Sequence, residues 1–305
     1  MLNYYKYLPV SEDDESWGLS VLNSGCTRIV PGAVYPYTNH PSHHYFNWEK
    51  GRVLHEYQVI YITKGKGIFE SQSAGERVIT EGTIIILLPG ERHRYKPDKE
   101  TGWDEYWVGF NGKIINTLFN KQFFESDNPT LQVGFDETLL NLFLEIINIS
   151  KDERAGYQPL VSGIVMHILG HIYSLSQQDK FEGQDTAQLV NKARLLFRSG
   201  IEQNISPTDV ANELQISYSR FRKLFKEYTG LAPGQFQIQL KIHKAKELLL
   251  NPAKSVKEIA YELNFESNFY FSKLFKEKTG MTPLEYRNNA QRKYGGKNGS
   301  RKDAK

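Results

Sequence analysis

Phe221-Arg222-Lys223-Leu224-Phe225-Lys226-Glu227-Tyr228-Thr229-Gly230 returns fifty residues later as Phe271-Ser272-Lys273-Leu274-Phe275-Lys276-Glu277-Lys278-Thr279-Gly280. Pro233 and Pro283 keep that register. Val210-Ala211-Asn212-Glu213-Leu214 answers to Ile259-Ala260-Tyr261-Glu262-Leu263 one residue out of it, so the extra residue falls in the intervening turn. Each copy predicts two short helices. Ser206 and Ser255 stand three residues before Asp209 and Glu258, the spacing of a capping box, and Pro207 occupies a first helical position where its missing N–H costs little. Gln215-Ile216-Ser217 and Asn264-Phe265-Glu266-Ser267 then form a tight turn ending in a second capping serine, and Gly230 and Gly280 close the second helix. Helix, short turn, helix is the pattern of a helix-turn-helix.

The second helix of each copy has two chemically distinct faces. Phe221, Leu224, Phe225 and Tyr228 recur at i, i+3, i+4 and i+7, while Ser219, Arg222, Lys223 and Lys226 repeat that spacing on the opposite side. In the second copy Phe271, Leu274 and Phe275 oppose Ser272, Lys273 and Lys276. One basic helix face alone reads as solvated surface. Two such faces, each behind the same turn, read as a pair of DNA-reading helices. Ser219, Arg222, Lys223, Asn268, Ser272 and Lys273 are the expected base readers. Lys226 and Lys276, a turn later, suit phosphate, and Ser217, Arg220 and Ser267 at the helix starts complete the set. Pro233 to Leu250 has no breaker after Gly234, and its eighteen residues predict a rod of about 27 Å. That compares with the roughly 34 Å turn of duplex DNA between successive major-groove faces.

These residues carry a resemblance. The repeat, with Ala260-Tyr261-Glu262-Leu263, Tyr270-Phe271-Ser272-Lys273-Leu274-Phe275-Lys276 and Thr279-Gly280-Met281-Thr282-Pro283-Leu284-Glu285-Tyr286, resembles the DNA-binding module of the AraC/XylS family of bacterial transcription regulators. The family usually has glycine in each turn, where this chain has Gln215 and Asn264. Asparagine tolerates a left-handed backbone better than glutamine, which predicts some strain in the first copy.

With 305 residues the chain has room for two or three domains. It lacks a run of eighteen apolar residues and a signal-like amino terminus, and its single cysteine, Cys26, excludes an intrachain disulfide. These features predict a soluble, cytoplasmic protein. The net charge of +3 hides an asymmetry: from Thr186 onward 22 Lys and Arg face 11 Asp and Glu, giving +11, and the rest of the chain carries −8. The nucleic-acid half is therefore the carboxyl-terminal one.

The amino-terminal half reads as short strands: Tyr57 to Thr63, a Gly65/Gly67 turn, Ile68 to Ser71, Gly82 to Gly90, and Tyr106 to Phe110. Such a series predicts a small barrel or jelly roll. Residues 1 to 35 read as aromatic-rich, with Glu12 to Glu15 as solvated loop. Trp103, Glu105 and Trp107 are spaced by two and share one strand face. An acid between two indoles suits a sugar, though the same pattern also describes a core aromatic pair with a rim carboxylate.

Tyr61-Ile62-Thr63-Lys64-Gly65-Lys66-Gly67, Pro89-Gly90-Glu91-Arg92-His93-Arg94-Tyr95 and Trp107-Val108-Gly109-Phe110 resemble the cupin-like effector domain of the family's sugar-responsive, arabinose-regulator type members. The resemblance implies effector contacts at Thr27, Tyr95, Glu105 and Trp107, with Arg52 two positions out of register for an arginine contact. A metal-binding cupin needs converging His and Glu ligands that His55 and His93 lack, and His40, His43 and His44 read as an exposed turn. No metal or other cofactor is expected.

Phe135 to Ile149 and Pro159 to Leu175 carry helical apolar stripes, and Leu160, Val161, Ile164, Ile168 and Leu175 offer a second surface for pairing with another copy. The expected organisation is multidomain: a cupin-like β-barrel (1–125), a helical dimerisation segment (126–176), a linker (177–185), an all-α tandem helix-turn-helix domain (186–290) and a basic disordered tail (291–305). Function follows as a DNA-binding transcription regulator controlled by a small molecule, a sugar or related polyol. Its expected partners are double-stranded DNA, the effector, a second copy of the chain and RNA polymerase, with no membrane. Two other classes stay open on residues alone: a cupin enzyme, against which the missing metal ligands and missing nucleophile or phosphate-loop motifs count, and an architectural protein whose barrel only dimerises.

Overall fold

The computed structural model describes residues 3–35, 48–125, 127–181, 186–201, 203 and 205–295. The chain divides into two compact units, Met1–Lys180 and Phe181–Lys305.

The first unit runs β1 (Asn3–Tyr7), α1 (Glu12–Ser16), β2 (Ser20–Ile29), β3 (Arg52–Val53), β4 (Tyr57–Gly65), β5 (Gly67–Ser71), β6 (Gly75–Ile79), β7 (Thr83–Leu87), β8 (Arg92–Pro97), β9 (Trp103–Asn111), α2 (Lys113–Asn120), β10 (Thr130–Gln132), α3 (Glu137–Asp152) and α4 (Tyr157–Asp179). All strand pairs are antiparallel, in a six-stranded sheet ordered β1-β2-β9-β4-β7-β10 and a four-stranded sheet ordered β3-β8-β5-β6. The strands expected from sequence are β4, β5, β7 and β9. β1 and β2 lie in the stretch read only as aromatic-rich, and the acidic run expected as solvated loop is α1, capped reciprocally by Ser11 and Asp14. Strand β2 escaped notice because Ser24, Gly25 and Cys26 interrupt its alternation. The glycine is required: a Cβ there would sit 2.3 Å from the Trp107 ring.

Both faces of the larger sheet are buried. Ile84 and Ile86 pack with Tyr61, Val108 and Phe110 beneath Phe143, Ile146, Val165 and Ile168 of α3 and α4. Ile85, between them, points the other way, into a cluster with Ile60, Ile62 and Trp103 that the smaller sheet closes with Phe69, Ile79 and Tyr95. Burial on two sides explains why β7 reads as a continuous apolar run. By length and composition α4 could cross a membrane, an 18-residue window within Tyr157–Gln178 having a mean hydropathy of 1.3. It is a core helix instead. Gln158 Nε2 donates to the Val21 carbonyl at 2.9 Å, Val21 N–H donates to Gln158 Oε1 at 3.0 Å, and Ser162 Oγ donates to the Leu19 carbonyl at 2.7 Å. Val161, Ile164 and Ile168 are buried in this core. The pairing surface expected on α4 is therefore spent inside the unit, and of its five residues only Leu160 is exposed.

The second unit is all helical among the described residues: α5 (Thr186–Ser199), α6 (Pro207–Glu213), α7 (Tyr218–Thr229), α8 (Pro233–Leu249), α9 (Val256–Glu262), α10 (Asn268–Thr279) and α11 (Pro283–Gly295). The last helix continues past Gln291, where the sequence suggests an irregular tail. Ser206 with Asp209 and Ser255 with Glu258 form the two capping boxes, and Gly230 (φ 75°) and Gly280 (φ 80°) end α7 and α10 in left-handed conformation. Gln215 (φ 57°) and Asn264 (φ 52°) take the same conformation in the turns. Phe221 and Phe225 pack with Phe197 and Val210, and with Phe236 and Leu240 from the first half of α8. Phe271 and Phe275 pack with Ile259, and with Ile242, Ala245 and Leu249 from its second half. One helix of 17 residues, about 25 Å long, thus runs through both cores.

Candidate nucleic-acid interface and ligand site

The outward faces of α7 and α10 are set by the inward ones. With Phe221 and Phe225 fully buried, Ser219, Arg222, Lys223 and Lys226 are exposed, as is Arg220. With Phe271 and Phe275 buried, Asn268, Lys273 and Lys276 are exposed and Ser272 is half-buried. Arg222, Lys226, Lys273 and Lys276 form no ion pair among the described residues, and Lys223 approaches Glu227 only to 4.0 Å. Their donors are available to phosphates or base edges. Ser217 and Ser267 are already engaged: their hydroxyls accept the N–H of Arg220 and Tyr270 as helix caps. Sequence reasoning passed over Lys241, which is buried and donates to the Asn264 carbonyl at 3.1 Å beside the Phe265 ring. It braces the turn before α10, and burial lowers its pKa.

In the first unit the face of β9 that points toward the smaller sheet carries Trp103, Glu105 and Trp107. Across β2 these residues face Ile29, Thr27 and Gly25, and across β4 Glu105 and Trp107 face Ile62 and Ile60. Gly25 leaves room for the Trp107 indole, and Gly67 does the same for Trp103, whose ring would lie 2.6 Å from an added Cβ. From the opposite sheet Tyr95 brings its ring to 6.0 Å of Trp103, and Tyr35 meets both rings. Arg52 Nη2 donates to the Tyr95 hydroxyl at 2.6 Å, and Arg52 Nε donates to His93 Nε2 at 3.2 Å. An arginine only donates, so His93 carries its proton on Nδ1, which lies 3.1 Å from the Glu91 carbonyl. Burial, with the Arg52 charge adding to it, pushes the His93 pKa down to about 3.

All six residues expected at the ligand site belong to this cluster, Arg52 included. His93 and Tyr35 join them. The signal for His93 was its two-residue spacing from Tyr95; both its ring nitrogens are used within the fold. His40, His43 and His44 lie outside the described residues.

Two polar atoms stand out in this apolar setting. Glu105 is 6% exposed and Trp103 1%, and among the described residues neither Glu105 Oε2 nor Trp103 Nε1 has a hydrogen-bond partner. Burial pushes the Glu105 pKa up to about 7, and the Arg52 charge and the nearby Trp103 indole pull it back only in part. A buried polar group without a partner costs about 1–3 kcal/mol. The arrangement offers an acceptor, an indole donor, a guanidinium and the half-buried face of Trp107, which together fit a compact molecule bearing hydroxyls on an apolar ring.

Comparison with known proteins agrees with both halves. Residues 31–169 match the AraC-like ligand binding domain, and residues 210–289 match a helix-turn-helix domain. The chain belongs to the AraC family. It is 27% identical over 235 residues to the lactose operon transcription activator of Staphylococcus xylosus, covering 74% of this chain and 81% of that one. Over 247 residues it is 25% identical to the raffinose operon transcriptional regulatory protein RafR of Pediococcus pentosaceus, covering 79% and 88%. The arabinose operon regulatory protein of Escherichia coli (strain K12) is 24% identical over 239 residues, covering 75% and 80%. This AraC-family chain is a DNA-binding transcription regulator with a ligand-binding domain.

Proposed function

We propose that this regulator senses a sugar or related polyol inside its β-barrel and thereby changes how it occupies DNA. The observation that carries the reading is that Glu105 Oε2 and Trp103 Nε1, buried between the two sheets beside the Arg52–Tyr95 pair, have no hydrogen-bond partner among the described residues. Ligand hydroxyls would supply the missing partners, Trp107 would stack on the C–H face, and Thr27 would contribute from β2. Regulators of lactose, raffinose and arabinose operons are among the relatives, which supports a sugar as the ligand class. The protein acts in the cytoplasm, on double-stranded DNA and in concert with RNA polymerase, without catalysing a reaction. We take it to be a homodimer, with Leu160 on α4 and Leu144 on α3 as exposed apolar side chains open to a second copy. Ligand shifts DNA occupancy by binding one arrangement of the protein better than another.

Isothermal titration of the full chain against a panel of sugars and polyols tests this. One or more should bind, and Glu105→Gln and Trp107→Ala should each weaken that binding at least tenfold. Silence across the panel, or binding untouched by both variants, refutes the reading. The carboxyl also makes a pH prediction. A Glu whose pKa is about 7 folded and about 4.5 unfolded binds more protons when folded, so its contribution to stability falls as pH rises from about 4.5 to 7, by on the order of 3 kcal/mol in all. His93, about 3 folded against 6.5 unfolded, acts in the opposite sense over its own range. The Glu105 effect is therefore read as the difference between wild type and Glu105→Gln in urea melts, and that difference should shift in favour of the variant as pH rises. A difference independent of pH would place the carboxyl outside the buried site.

A further inference from the structure

Aligning the two motifs places Phe269 of α10 where Ser219 stands in α7, and Tyr261 of α9 where Asn212 stands in α6. Phe269 is 78% exposed and Tyr261 86%. An exposed phenylalanine this accessible is informative, because water penalises its whole ring and a core role is excluded. Phe265 and Phe271 supply the core contacts of this motif, with ring centroids 4.9 Å apart. Phe269, Lys273 and Lys276 fall at i, i+4 and i+7, a single stripe diametrically opposite Phe271. The ring is thus held at the start of α10, in line with two exposed cations that form no ion pair among the described residues. The first residues of the second helix in a helix-turn-helix are those that meet base edges in the major groove. An aromatic ring there forms no hydrogen bond with a base edge, and the apolar feature the groove presents is the C5-methyl group of thymine.

We propose that Phe269 reads a thymine methyl in the half-site beneath α10, so that this half-site requires a T·A pair at a position where the half-site beneath α7, facing Ser219, has no such requirement. The inference rests on α7 and α10 being the DNA-reading helices, and it adds a specificity-determining residue to them. It also makes the two half-sites chemically unequal, which orients the protein on the duplex.

The test starts from a duplex selected by the full chain from a random library. Binding is then measured by fluorescence anisotropy on that duplex and on copies in which each thymine in turn is replaced by deoxyuracil, which lacks only the methyl. One uracil position in one half-site should weaken wild-type binding about fourfold, the effect of burying one methyl group. Phe269→Ala should bind the uracil and thymine duplexes equally at that position, with an unchanged thermal melt because the side chain is exposed. Lys273→Ala should bind every duplex more weakly yet keep the uracil effect. If no single uracil weakens wild type, or if the effect survives in Phe269→Ala, the thymine assignment is overturned, and the ring belongs to a surface for another partner. If Lys273→Ala leaves every affinity unchanged, α10 is not a reading helix and the underlying assignment fails as well.

Discussion

The two helix-turn-helix motifs share an interior and differ at the surface. Phe221 and Phe271, Phe225 and Phe275, and Gly230 and Gly280 repeat residue for residue, and both turns pass through one left-handed residue. At the surface Lys223 and Lys226 return as Lys273 and Lys276, but other outward positions have diverged: Asn212 against Tyr261, Ser219 against Phe269, Arg222 against Ser272. Interior positions repeat because both copies must set the same pair of helices against one half of α8. The diverged outward positions carry no such constraint, and on the proposed reading each meets its own stretch of DNA. The core decides where the reading helices sit, and the surface decides what they read.

The largest test of this comparison is on the shared interior. Phe221→Ala and Phe271→Ala each empty a fully buried site, and each should cost about 3–5 kcal/mol in urea unfolding of the chain. A loss below about 1 kcal/mol at either site would mean that the two cores are not equivalent. Next come the surfaces. Arg222→Ala should cost about 1–3 kcal/mol at one operator position, and relax the base preference there, because it removes a charged two-pronged donor. Ser272→Ala, at the matching place in α10, should cost less than about 1 kcal/mol, the net value of one neutral hydrogen bond. Equal losses would undo the claimed asymmetry, and a loss for Arg222→Ala that is uniform over all sequences would make that residue a phosphate contact. The smallest effect lies in the turns. Gln215→Gly relieves about 1–2 kcal/mol of left-handed strain and costs about 0.5–1 kcal/mol in chain entropy, a net gain near 0.5 kcal/mol. Asn264→Gly should gain nothing, because asparagine already tolerates the conformation and its side-chain Nδ2 donates to the Glu262 carbonyl at 3.4 Å, a bond glycine loses. Thermal melts of the two variants compare them directly.

Much of this was legible in the chain itself, for identifiable reasons. Capping serines, closing glycines and the 3.6-residue stripe depend on local spacing, so the repeated motifs could be read without the structure. Trp103, Glu105 and Trp107 share a face by two-residue alternation, and the barrel places them so. Features that depend on distant neighbours were not legible. β2 lacks an apolar pattern because Gly25 yields its space to Trp107. The second apolar surface of α4 suggested a partner chain, whereas α3 and the six-stranded sheet bury most of it. His93 was weighed only as a metal ligand, and its role beside Arg52 depends on the pairing of β3 with β8. Phe269 drew no notice because apolar residues in a helix are first assigned to the core, and only its exposure in the fold removes it from there.

The claim on which the rest depends is that α7 and α10 each read a separate half-site on one duplex. Hydroxyl-radical footprinting of the full chain on a selected duplex, with Arg222→Ala and Lys273→Ala alongside, measures it most directly. Wild type should protect two patches about one helical turn apart, roughly 10 base pairs, with Arg222→Ala weakening one patch and Lys273→Ala the other. A single patch, or both variants weakening the same patch, would contradict the account.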